Sequence, residues 1–210
     1  MIKAAFFDLD GVLTTDFNAT DRICRNLCDA VPGLKIETAT ECYRQHCRHL
    51  LVERRKHADV WEKFCACAGR EISSAILQEA LRSVSKNEAM FSLVGDLHKN
   101  YRLGIITDNS EERMELLNGE LQLPALFDPI VVSSSVHALK HDGTTTIFDA
   151  ALEAVQCEPQ EAIFVDNQER NLVTPAAMGM KTYWHDDKRN DIAALLFALR
   201  EWNVVVEGRV

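Results

Sequence analysis

The run Ala4-Ala5-Phe6-Phe7 ends abruptly in Asp8-Leu9-Asp10-Gly11, and this junction constrains the fold more than any other stretch. Consecutive apolar residues closed by acids and a glycine read as a buried strand that stops at a wet edge. A strand that is apolar on both faces belongs inside a parallel sheet covered by helices. In open sheets of that kind, ligands bind beyond the carboxyl ends of the strands. Asp8 and Asp10 are two residues apart, so both carboxylates share one face of the extended chain. Gly11 lets the backbone turn at once. Carboxylates held that close repel each other unless a cation, a shared proton or solvent intervenes.

The next strand pattern comes only after residue 88. Between lie helical periodicities over 18–30, 37–56, 58–68 and 73–85, carried by Ile23, Leu27, Tyr43, Leu50, Trp61, Phe64, Ile76 and Leu81 among others. A connection of that length is not a loop. It predicts a helical domain over 15–88, inserted into a core made of 1–14 and 89–210, with linkers near Thr15–Asp16 and Asn87–Glu88. Helix and strand then alternate. Strands are expected over 103–106, 130–133, 162–165 and 180–184, and helices over 91–99, 111–117, 147–155, 172–178 and 191–202, with Gly179 as a helix C-cap. Residues 204–210 read as an edge strand or a trailing end. The whole predicts an α/β fold: a doubly wound, mostly parallel sheet with helices on both faces, plus the helical insertion.

The formal net charge of -9 argues against a nucleic-acid backbone binder, which needs a basic face. No apolar run reaches membrane-spanning length. The seven cysteines suit small packed thiols better than a metal site, and with no secretory leader they suggest a cytoplasmic protein. The histidines form no zinc pattern.

Four strand ends carry polar residues: Asp8 and Asp10; Thr107-Asp108-Asn109-Ser110; Ser133-Ser134-Ser135 with Lys140 beyond; and Asp166-Asn167. In a parallel sheet these ends lie along one edge. Acids for a metal, a hydroxyl and a lysine form an inventory for phosphoryl transfer. Together these segments resemble the haloacid dehalogenase-like hydrolase superfamily. Asp8-Leu9-Asp10-Gly11-Val12-Leu13-Thr14 is similar to its first motif, Thr107 to the second, Lys140 to the third, and Asp166-Asn167-Gln168-Glu169-Arg170-Asn171 to the fourth. The resemblance implies a cap inserted after the first strand, Asp8 as nucleophile, and Asp10 as acid and base. It implies Thr107, Asn109 and Lys140 around the phosphoryl group, and Mg²⁺ held by Asp8, the Asp10 carbonyl and the Asp166-Asn167 stretch. It further implies a small phosphorylated metabolite, such as a sugar phosphate, as partner, in a monomer or weak homodimer. Superfamily dehalogenases resemble the phosphatases but lack an acid two residues after the nucleophile. Asp10 therefore favours phosphate ester hydrolysis. The alternatives are a phosphomutase and a weakly active or inactive phosphate-binding scaffold.

Three positions depart from the family pattern. Asn167 stands where a second Asp is usual, so either Asp166 or Asn167 meets the metal. Asp108 stands where Asn is common and adds negative charge. The loop after Lys140 continues as His141-Asp142-Gly143 and a threonine run expected to cap the next helix. The segment holding Arg44, Arg48, Arg54, Arg55 and Lys56 is strongly basic. Arg44 and Arg48 are candidates for substrate specificity, although a solvated face with acidic partners is the plainer reading of such a run, and a patch for a partner protein is a third.

Overall fold

The computed structural model describes residues 1–206. Five strands, β1 (Ala4–Phe7), β2 (Arg102–Thr107), β3 (Ile130–Val132), β4 (Ala162–Asp166) and β5 (Lys181–Trp184), form one parallel sheet in the order β3-β2-β1-β4-β5. The chain winds outward from β1 through β2 to β3, then returns to the other side of β1 for β4. That reversal makes the carboxyl end of β1 the topological switch point, where a crevice opens. Phe7 is level with Ile105 and with Val165, so Asp8 emerges in line with the ends of β2 and β4.

Alternation along β1 divides the core. Ala5 and Phe7 pack on one face with Ile105, Val165 and the helices α5 (Glu88–Leu97), α6 (Glu111–Leu121) and α10 (Ile192–Glu201). Ala4 and Phe6 pack on the other with Ile106, Phe164, α8 (Thr146–Val155) and α9 (Glu169–Met178). Gly179 closes α9 in the left-handed conformation, as its position after the last apolar turn predicts.

The insertion contains α1 (Ala19–Ala30), α2 (Ile36–His46), α3 (Trp61–Ala68) and α4 (Ser74–Arg82) around an apolar core of its own, centred on Leu27, Tyr43, Phe64 and Leu81. Its two linkers run side by side: the Thr15 N–H donates to Ser85 O at 2.9 Å, and the Asn87 N–H to Leu13 O at 2.9 Å.

Several expectations need correcting. The helix predicted over 37–56 stops at His46, and a short 3-10 turn (Arg48–Leu51) follows. Side chains from the core take up the next carbonyls: Ser133 Oγ donates to Leu51 O at 2.6 Å, and His137 Nδ1 lies 2.8 Å from Val52 O. Tertiary partners thus compete with the helical ladder. The strand expected over 130–133 stops at Val132, and Ser133 opens a four-residue helix, α7 (Ser133–Val136). Thr145 holds the N-cap position of α8, as expected, but its hydroxyl donates to Asp149 at 2.6 Å instead of accepting a backbone N–H, and Asp142 organises the loop by accepting from the Leu139 and Thr144 backbone. Residues 204–206 join no strand, and 207–210 lie outside the described residues.

The cysteines are not uniformly packed thiols. Cys42 and Cys67 form a disulfide between α2 and α3. Cys24 and Cys47 do behave as expected: burial pushes each thiol up to about 12. With one bridge present, the cysteines no longer argue for a reducing compartment. No helix among the described residues is long and apolar enough to cross a membrane.

Candidate active site

β1 delivers Asp8 to the switch point, and the following five residues, Leu9–Leu13, close in one wide turn with the Thr14 N–H on Leu9 O at 2.9 Å. The turn depends on Gly11, whose φ is +88° and where a Cβ would collide with the Asn167 amide. It folds the chain so that Asp8 and Asp10 both face inward and both are buried.

Asp8 Oδ1 accepts from the Leu9 N–H at 2.7 Å and from Lys140 Nζ at 2.8 Å. Lys140 Nζ also donates to Asp166 Oδ2 at 2.7 Å, so one ammonium joins two carboxylates from different strands. Burial works against that ammonium, but the charges of Asp166 and Asp8 outweigh it and hold Lys140 protonated far above neutral pH. Burial drives the Asp8 carboxyl well above the ordinary carboxylate range, against the pull of Lys140. The Lys140 backbone N–H donates to Asp108 Oδ1 at 3.0 Å. Asp108 therefore secures the lysine loop, and its charge adds to those of Asp166 and Asp8 in favour of the Lys140 ammonium.

Asp10 is held from the other side. Arg113, at the start of α6, donates Nη1 to Asp10 Oδ2 and Nη2 to Asp10 Oδ1, each at 2.8 Å. Asn109 Nδ2 donates to Asp10 Oδ2 at 2.9 Å and to Thr107 Oγ1 at 3.2 Å. The structure thus brings Asp8, Asp10, Thr107, Asn109, Lys140 and Asp166 into one buried cluster.

Asp166 and Asn167 have different surroundings. Both Asp166 oxygens are taken by the protein: Lys140, the Gln168 N–H at 2.7 Å and Asn171 Nδ2 at 3.0 and 3.1 Å. Asn167 turns its Nδ2 to Phe17 O at 3.0 Å and leaves Oδ1 buried with no partner. Among the described residues no group of three or more His, Cys, Asp or Glu side chains is arranged to hold a metal ion. Oxygen donors suit a hard divalent cation, and beside Asp166 two buried amide oxygens, Asn167 Oδ1 and Asn171 Oδ1, have no partner.

Arg44 and Arg48 do not join this cluster. Both are exposed, and Arg44 lines a surface cavity of about 600 Å³ with Ile36, Glu37, Thr40 and Glu41. Trp184 sits at the rim, 46% exposed, with its Nε1 on Asn167 O at 2.9 Å.

Residues unremarked in the sequence complete the surroundings. Glu112 accepts from the His57 N–H at 2.7 Å, faces His57 Nδ1 at 2.8 Å, and accepts from Gln78 Nε2 at 3.2 Å. His57 Nε2 in turn lies 2.6 Å from Tyr43 Oη. One signal for Arg113 was available: it lies four residues before the core residue Leu117 and so shares its helix face.

A family profile for haloacid dehalogenase-like hydrolases matches residues 5–185, and the chain belongs to that family. No curated protein matches it. Among solved structures it is similar to a predicted HAD-like hydrolase from Porphyromonas gingivalis, at 22% identity and a TM-score of 0.74, covering 95% of this chain and 98% of that one. It is also similar to a HAD family enzyme from Bacteroides thetaiotaomicron in complex with magnesium and inorganic phosphate (18% identity, TM-score 0.71, 89% and 96% covered). An L-2-haloacid dehalogenase from Xanthobacter autotrophicus with chloropropionic acid covalently bound matches at 17% identity and a TM-score of 0.67, covering 98% and 85%. At these identities the likeness establishes the fold.

Proposed function

We propose that the protein hydrolyses phosphomonoesters of small metabolites, such as sugar phosphates, through an aspartyl-phosphate on Asp8, with Mg²⁺ as cofactor. The observation that carries this reading is Asp10, a second carboxylate buried in the cluster that holds Asp8. A halide leaves without a proton, whereas an alkoxide needs one, so an acid beside the nucleophile suits an ester. The Bacteroides relative with magnesium and phosphate points the same way.

In this scheme an Asp8 oxygen attacks phosphorus while the bond to the leaving oxygen breaks. Oδ2 suits that role, since the Leu9 and Lys140 donors both meet Oδ1. Asp10 gives its proton to the leaving oxygen. Water then attacks phosphorus, Asp10 takes back a proton, and the Asp8–phosphorus bond breaks to release phosphate. Thr107 donates to a phosphoryl oxygen, Asn109 Nδ2 does so by exchanging its bond to Thr107 for one to the phosphoryl group, and Lys140 offsets charge on the nucleophile. Asp8, the Asp10 carbonyl and Asn167 would hold Mg²⁺, which supplies positive charge at the phosphoryl oxygens. Residues 15–88 act as a cap that excludes water, hinged at the paired linkers.

The test is phosphate release from para-nitrophenyl phosphate with Mg²⁺, in parallel with halide release from 2-chloropropionate. Phosphate release that D8N abolishes is the expected result; halide release alone would overturn the reading. Arg48, exposed on the cap, is the proposed contact for an anionic leaving group, with Arg44 on the same segment. R48A should raise KM for esters with a second anionic group, and an equal rise for neutral esters would argue against it.

A further inference from the structure

The scheme above gives no task to Arg113, which is among the largest fully buried side chains of the protein. Its guanidinium makes four hydrogen bonds to three partners. Both Nη atoms grip the Asp10 carboxylate at 2.8 Å, Nη1 also donates to Asn109 Oδ1 at 3.0 Å, and Nε donates to Leu81 O at 3.3 Å. Leu81 belongs to α4 of the insertion, so Arg113 touches the acid and the cap together.

Its two neighbours on the first turn of α6 also meet the cap. Glu111 pairs with Arg54 at 3.5 Å, and Glu112 accepts from His57 and Gln78. One helical turn therefore bonds the cap at three successive residues, and the third of them fixes Asp10. A bidentate guanidinium fork sets the plane of a carboxylate as well as its distance.

We propose that Arg113 is a positioning residue that ties the orientation of the Asp10 carboxylate to the seating of the cap. With the cap seated, Leu81 O anchors Nε, and the fork presents Asp10 in one plane. When the cap lifts, Nε loses that anchor, and the guanidinium is free to turn and to carry the plane of the Asp10 carboxylate with it. Arg113 thereby restricts productive proton transfer to the closed enzyme, while the attack by Asp8 does not depend on it.

This inference rests on the phosphatase reading, and one experiment separates the two. Para-nitrophenolate leaves without a proton, so forming the aspartyl-phosphate needs Asp10 little, whereas its hydrolysis needs Asp10 to take a proton from water. Rapid mixing of para-nitrophenyl phosphate and Mg²⁺ with R113A should give a burst approaching one equivalent per enzyme. The steady rate should then fall at least tenfold below wild type, with KM falling in step, so that kcat/KM changes less than threefold. Added guanidinium should restore part of the steady rate. R113K, which keeps the charge without the fork, should show the same burst with a smaller loss. Burst and steady rate falling together in both variants, as loss of folded enzyme would cause, overturns the proposal, and so does a wild-type steady rate. A wild-type protein that releases no phosphate overturns the phosphatase reading itself.

Discussion

Asp166 and Asn167 are adjacent in the chain and opposite in bonding: every oxygen of Asp166 accepts from the protein, while Asn167 Oδ1 is buried without a donor. The carboxylate is a structural anchor for Lys140 and Asn171, and the amide oxygen is the one we propose for the metal.

This division predicts how the metal responds to substitution. N167D adds a charge to the open position and should tighten Mg²⁺ on the order of tenfold, since ligand charge tunes divalent affinity. D166N should lower stability with a smaller change in affinity. Calorimetric titration of Mg²⁺ on both variants checks it; a larger affinity loss in D166N than gain in N167D would reverse the assignment.

Lys140 is the cation between two buried carboxylates, 2.8 Å from Asp8 and 2.7 Å from Asp166. Removing one member of a buried ionic group leaves uncompensated charge and costs about 3–5 kcal/mol. K140M should therefore lower Tm by about 10 °C at the usual conversion for a chain of this size. A melting curve close to wild type would mean that the Lys140 ammonium is not what balances this buried pair.

Glu112 gives an acid-sensitive contact between core and cap. Burial raises its pKa, but the side-chain and backbone donors of His57 outweigh this and hold it below the usual carboxylate range. A depressed pKa contributes stability above the unfolded value, near 4.3, and that contribution is lost as pH falls through the folded value. E112Q should be destabilised by about 1–3 kcal/mol at neutral pH. The gap to wild type should narrow below about pH 4.5, as urea unfolding across pH would show. A gap that widens in acid would contradict the sign.

The Cys42–Cys67 bridge closes a sequence separation of 25 residues inside the cap. Loop entropy for such a closure corresponds to about 3 kcal/mol as an upper figure. Reduction, or C42S with C67S, should lower the cap's unfolding midpoint and leave the sheet's intact. Hydrogen exchange resolved by segment separates the two, and equal loss of protection in β1 and α2 would count against it.

Much of this was legible in the chain itself. The unbroken apolar run before Asp8, the helical periodicities up to residue 85 and the alternation after residue 88 are local patterns, and local patterns fix element type. The convergence of Asp8, Thr107, Lys140 and Asp166 followed from topology, because parallel strands put their polar ends on one edge. The sequence left open which of Asp166 and Asn167 is free, where the second cap helix ends, and what grips Asp10. Each turns on partners far away in the chain: Lys140 for Asp166, Ser133 for Leu51 O, Arg113 for Asp10. Hydrogen bonds and ion pairs depend on distances of a few tenths of an ångström, which periodicity does not encode, so only the tertiary structure decided them.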